Sequence, residues 1–249
     1  MRDFEDSTLW RVSAFDRERL HSGESAFARI DGPTVLPTTL LADLDRLEAD
    51  NSNNDVMEIV AACMRHRQAA LLYLHYEGLV WPVTLFPRSM LYHSPRDMAL
   101  ASVGGLAHVK VMLTEPPGIR PPGHWMLERI GQAGHYRPLA PLLWQLSLEG
   151  PRRALLTEIN GTAAYRLVRA STAEQVAAPG ALGPAVDRLR RESVSLRTMA
   201  TWPGLSIERA SRLLNALYLT SNLMVTRAHP AARSEPVHRG LFGFGRAKR

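Results

Sequence analysis

Apolar residues recur at helical spacing over Thr38-Thr-Leu-Leu-Ala-Asp-Leu-Asp-Arg-Leu-Glu-Ala49, where Leu40, Leu41, Leu44 and Leu47 share one face. A shorter helical patch precedes it at Phe15-Asp-Arg-Glu-Arg-Leu20. The polar run Asn51-Ser-Asn-Asn-Asp55 reads as a turn that caps a second helix over about 55–67. The period then shortens. Ala70-Leu-Leu-Tyr-Leu-His-Tyr76, Leu79-Val-Trp-Pro-Val-Thr-Leu-Phe86 and Ser89-Met-Leu-Tyr-His93 are β-prone runs separated by Glu77-Gly78 and Pro87-Arg88, which predicts an antiparallel meander. Pro82 lacks an N–H and is expected on an edge strand. In 106–113, Val109, Val111 and Leu113 alternate with His108, Lys110 and Met112, so a fourth strand with one buried face is expected.

Glu115-Pro-Pro-Gly-Ile-Arg-Pro-Pro-Gly123 predicts a stiff connection that bounds the sheet region. Beyond it, 124–131, 138–148 and 151–159 read as helical. A break at Gly180 to Pro184 precedes Ala185-Val-Asp-Arg-Leu-Arg-Arg-Glu192. Ser195 is placed to cap a helix of about two turns, and Pro203-Gly204-Leu205 supplies a turn. Ser206 caps a longer helix with Glu208 in its first turn, where the helix dipole favours an anion. On that helix Ile207, Ala210, Leu214, Leu217 and Tyr218 are expected to face inward, and Arg209, Arg212 and Asn215 outward. A short strand ends near Arg227.

The fold class expected is α+β, with a small antiparallel sheet flanked by helices and then a mainly helical module. The expected division is a mixed α/β interaction module over 1–114, a proline-rich connection over 115–123, a helical region over 124–180, a helix-turn-helix-like module over 181–230 and a disordered tail over 231–249. Charge sharpens this division. Residues 1–150 carry 14 basic and 18 acidic side chains, a net of −4, whereas 151–249 carry 16 and 6, a net of +10. Halves of opposite sign imply that the second is drawn to something anionic or to the first half itself. The longest uncharged apolar run, Leu139 to Leu148, is far short of the ~20 residues that span a bilayer. The opening Met1-Arg-Asp-Phe-Glu-Asp has no apolar leader core, so a cytoplasmic protein is expected.

The stretch from Ser193 to Arg227 resembles the helix-turn-helix and winged-helix modules of bacterial regulators, although no second wing strand is evident after Arg227. That resemblance implies DNA contact by Arg209, Arg212 and Asn215, since arginine suits guanine edges or phosphates and asparagine suits adenine. Arg190, Arg191 and Arg197, with Arg188, would hold backbone phosphates. Trihelical units of this pattern also serve as dimerisation or docking surfaces. The helix-then-strands order of about 55–113 resembles PATAN-type and roadblock-type signalling domains, which implies regulation through protein contacts. Pro82 departs from that pattern.

Candidate chemistry is sparse. Cys63 lies in the apolar run Val56 to Met64 and reads as a core residue, and no Gly-x-Ser-x-Gly is present. Gly243-Phe-Gly245 has no strand before it, so it is no nucleotide fingerprint. His124, Glu128 and His135 would place a His and a carboxylate on one helix face, but the order is not that of a zinc protease, and surface histidines are the expectation rather than a metal site. No cofactor is implied. In the tail, Phe242 and Phe244 beside Arg246, Lys248 and Arg249 suit transient contact with an anionic membrane surface or a partner groove. The favoured function is a non-enzymatic cytoplasmic bacterial regulator or adaptor acting on a protein partner, with homodimerisation open. The alternatives are a DNA-binding transcriptional regulator, and an enzyme whose site is assembled from scattered residues.

Overall fold

The computed structural model describes residues 9–22, 35–50, 52, 54–101, 103–168 and 180–232. The elements are β1 (Trp10–Arg11), α1 (Val12–Ser22), α2 (Thr38–Ala49), α3 (Val56–His66), β2 (Ala70–Tyr76), β3 (Leu79–Phe86), β4 (Leu91–His93), α4 (Val103–Leu106), β5 (Lys110–Glu115), β6 (Tyr136–Pro138), α5 (Leu139–Glu149), β7 (Ala164–Leu167), α6 (Leu182–Arg191), β8 (Val194–Ser195), α7 (Leu196–Met199), α8 (Ile207–Leu219) and β9 (Leu223–Thr226).

A six-stranded antiparallel sheet forms the first layer, in the order β5-β2-β3-β4-β6 with β1 paired to the start of β3. The strands β2 and β3 are joined by Glu77-Gly78, both at positive φ, which is the tight hairpin expected of that pair. Nearly every residue of β2 and β3 is buried, because the sheet is covered on both faces. Leu72 and Leu74 point into the main core, and Leu71, Tyr73 and Val80 pack with Phe15 of α1 on the opposite side. Pro82 does not lie on an edge strand. It pairs with Tyr73, and β1 and β4 pair with β3 on either side of it, at Val80 and from Thr84 onward. It thus occupies the gap between two short neighbours, where a missing N–H disturbs no ladder beyond that with β2.

The helix α3 starts at Asp55, whose carboxylate accepts from the Met57 and Glu58 amides, and ends on Arg67 in a left-handed conformation. Its burial carries Cys63 into the core and pushes the thiol up to about 12, far from thiolate formation at neutral pH. Two segments read as helical are not. Over 124–131 the chain forms a short 3-10 turn at Leu127–Arg129 framed by a bridge between Arg120 and Ile130. Over 151–159 it forms turns held by side chains from α3 and α8.

The second layer contains a three-stranded antiparallel sheet, β8-β7-β9. Its central strand comes from before the helices, at Ala164–Leu167, in a region read as helical. The helix α6 starts at Leu182, with Pro184 in its first turn where a missing N–H costs nothing, so Pro184 begins a helix instead of breaking the chain. Both expected caps form: Ser195 accepts from the Thr198 amide and Ser206 from the Arg209 amide. Between them, Gly204 sits at φ 73°, and a Cβ there would meet that of Ala181 at 2.7 Å. The helix α7 is a single turn, shorter than expected. One contiguous core runs from Leu9 and Leu40 through the sheet and α5 to Leu219, and it does not divide at the proline-rich segment. Among the described residues no helix is long and apolar enough to cross a membrane.

Candidate functional site

The helix α8 buries Ala210, Ser211, Leu213, Leu214, Asn215, Ala216, Leu217 and Leu219, which together go round its circumference. The polar face expected to look outward is turned inward at two of its three residues. Asn215 is fully buried; its Oδ1 accepts from the Leu156 amide at 2.9 Å and its Nδ2 donates to the Ala154 carbonyl at 3.0 Å. Arg212 has a side chain 13% exposed. It donates to the carbonyls of Leu148 (2.8 Å) and Gly150 (2.9 Å) and pairs through Nε with Glu208 at 3.1 Å. A guanidinium thus caps the orphan carbonyls at the C-terminus of α5, where the helix dipole is negative. The expected inward residue Ile207 is instead 63% exposed. The physical reason is that α5 packs along α8, so the face that a free helix would give to solvent is an interior seam.

The remaining arginines are placed differently. Arg209 is exposed and donates to the Gly204 carbonyl at 2.6 Å. Arg190 pairs with Asp187 at 2.8 Å, while Arg188 pairs with Glu192 and lies 4.5 Å from the Trp202 ring centre. Arg191 and Arg197 are exposed. The tail residues Phe242, Phe244, Arg246, Lys248 and Arg249 lie outside the described residues.

Charges of opposite halves meet at the interface between α3 and the turn over 151–159. Arg152 pairs with Asp55 and Glu58, both at 2.6 Å, and Glu58 also accepts from the amide and hydroxyl of Thr157. Arg65 lies between Asp43 and Glu158, and Asp43 also meets His66 at 2.6 Å. Burial pushes the Asp43 carboxyl up, but hydrogen bonds from His66 and Arg65 outweigh it and hold it below the usual range. Part of the positive excess of the second half is therefore spent on the first.

The loop between β5 and β6 departs furthest from expectation. His124, Glu128 and His135 do not share a helix face; the Met126 amide donates to His124 Nδ1, while the His135 ring meets the His93 ring edge-on with centres 5.5 Å apart. No group of three metal-ligating side chains forms among the described residues. Burial, then the charges of His135 and Arg137, push His93 down to about 4, so it is neutral at physiological pH. Tyr136 ties the loop together, donating to the Arg120 carbonyl and accepting from the Gly131 amide. Between this loop, the end of α3 and the β3–β4 turn lies a cavity of about 290 Å³. Arg67, Gln68, Ala69, Phe86, Pro87, Arg88, Ser89, Arg120, Pro121 and His124 line it. None of these residues was singled out in the sequence except His124, because Arg67, Arg88 and Arg120 come from three separate turns and share no local motif.

Comparison with protein-family models, with curated proteins and with solved structures returns no match, so a functional reading rests on this chain's own residues.

Proposed function

We propose that the chain is a non-enzymatic regulatory or adaptor protein that works by binding another protein, with the β5–β6 loop as its contact face. The observation that carries this reading is the exposure of two large apolar side chains on that loop, Trp125 at 80% and Leu127 at 72%. The loop is not free chain. Its backbone is held by the Arg120–Arg129 hydrogen bond, the Arg120–Ile130 bridge and the two hydrogen bonds of the Tyr136 hydroxyl, and His124 stacks on the Trp125 ring. An ordered loop loses little conformational entropy on association. Tryptophan in a central position is the commonest energetic anchor of protein interfaces, and burying these two side chains is worth about 3–6 kcal/mol.

The test compares proteins retained by the immobilised full chain and by its Trp125→Ala/Leu127→Ala variant. A discrete partner held by the first and lost from the second is the expected result. Identical retention by both would overturn the reading.

A second reading, DNA contact, draws on the order α6-β8-α7-α8-β9 with both serine caps formed, which is the order of helix-turn-helix modules. It has Arg191, Arg197 and Arg209 at its disposal, whereas Arg212 and Asn215 are engaged inside. Duplex binding that falls steeply with salt and is lost in Arg197→Ala/Arg209→Ala would favour it; retention unchanged in that variant would remove it.

A further inference from the structure

We propose that the cavity between Arg67, Arg88 and Arg120 is a binding site for a small organic phosphate, with the phosphoryl group on the arginines and an apolar body against Phe86, Pro87 and Pro121. The cavity adjoins the Trp125–Leu127 contact face through His124, but the proposal does not rest on that reading.

Three guanidinium-bearing residues and a histidine line the cavity, and no Asp or Glu does. None of the three arginines forms an ion pair among the described residues, where most of the arginines around the α3–α8 junction do. Like charges gathered without a counter-charge repel one another, and that repulsion is relieved when a dianion enters. Two further details point the same way. Arg120 Nε is buried and has no hydrogen-bond partner, a donor left open in a place where an orphan is costly. Arg88 is steadied by donating through Nε to the carbonyl of Arg67 at 3.1 Å, and Arg67 itself is fixed as the left-handed cap of α3. Of the three side chains, Arg88 is therefore held in place before a ligand arrives.

The ligand chemistry follows from the walls. The arginine fork matches phosphate oxygens two at a time, and a doubly charged phosphoryl group answers several guanidinium groups better than a single carboxylate. The volume of about 290 Å³ is at the lower end of small-molecule sites and exceeds what a bare anion fills. Ala69, Phe86, Pro87 and Pro121 give the cavity an apolar side against which a ring or short alkyl body would lie, with Gln68, Ser89 and His124 completing the lining.

The experiment titrates the full chain with phenyl phosphate and with inorganic phosphate, by calorimetry, with sodium chloride holding ionic strength constant. Wild type should bind phenyl phosphate saturably and inorganic phosphate more weakly. Arg67→Gln/Arg88→Gln, two exposed side chains whose exchange leaves the core untouched, should weaken phenyl phosphate on the order of tenfold or more. Arg209→Gln, distant and exposed, should bind as wild type does. Absence of saturable binding, or an equal loss in Arg209→Gln, overturns the site. Equal affinity for the two probes overturns the organic body. Because Trp125 and Leu127 are intact in every variant, failure here leaves the protein-contact reading standing, and the reverse also holds.

Discussion

Replacing Asn215 by alanine separates an inward structural role from an outward reading role on one helix. The Leu156 amide is buried and donates to Asn215 Oδ1 at 2.9 Å, so the substitution removes its acceptor. An unsatisfied buried donor costs about 1–3 kcal/mol. The Ala154 carbonyl, which loses the Nδ2 donor, belongs to an exposed residue and can turn to water, adding about 1 kcal/mol at most. The total expected is about 1–4 kcal/mol, a large share of the 5–15 kcal/mol that holds a domain folded. Urea unfolding followed by tryptophan emission reports it as a lower midpoint with an unchanged slope. Arg209→Ala on the same helix, where the side chain is exposed and makes one hydrogen bond to the Gly204 carbonyl, should cost under about 1 kcal/mol. A loss below about 1 kcal/mol for Asn215→Ala would refute the inward placement, as would an equal loss in both variants.

Arg152→Met should destabilise by about 3–5 kcal/mol, since it strands the Glu58 carboxylate, whose side chain is only 6% exposed. Adding Glu58→Gln should recover part of that loss; a double variant as unstable as the two single losses summed would show that the pair is not coupled. His93 has a folded value near 4 against about 6.5 in the unfolded chain. The unfolded state therefore binds more protons between those values, and stability is complete above pH 6.5 and falls as pH drops toward 4. His93→Gln should flatten the dependence of melting temperature on pH across that window, and an unaltered slope would count against the burial of the imidazole.

The elements most legible in the sequence are those where one physical signal dominates. Leu40, Leu41, Leu44 and Leu47 mark α2, and the Asp55, Ser195 and Ser206 caps mark helix starts to the residue. The strands β2 and β3 follow from their β-branched and aromatic runs around Glu77-Gly78. The strand β7 was hidden because four residues, Ala-Tyr-Arg-Leu, are too few for an alternation to show, and their pairing partners lie about 30 and 60 residues away. Arg212 and Asn215 depart from expectation for a different reason: a polar side chain is expected to face water, although Leu213, Ala216 and Leu219 already continue the apolar surface round the helix. A helix apolar on all sides is a buried helix, and its few polar residues then need internal partners. That signal was present. For the cavity there was none, since its arginines meet only through the folding of three turns.

The fate of the charges in the second half decides what remains for a partner. Arg152, Arg188, Arg190 and Arg212 are each matched by a carboxylate, and Arg152 and Arg212 also donate to carbonyls within the 147–158 segment. The segment joins α5 to β7 and receives polar side chains from α3 and α8 at once, so it is where the two halves are fastened. Of these four arginines Arg152 alone pairs with carboxylates of the first half, Asp55 and Glu58, and there low exposure makes the pairing strong and specific. Adhesion of this kind removes the buried arginines from any outward field, because a paired guanidinium cannot leave its carboxylate without exposing an uncompensated charge. A partner can then meet only what the junction does not consume. Among the described residues those groups include the exposed Arg191, Arg197 and Arg209, and the ordered loop with Trp125, Leu127 and the arginine-lined cavity beside it. The second of these sets two large apolar side chains beside arginines that pair with no carboxylate among the described residues, which supports the proposal that recognition takes place there.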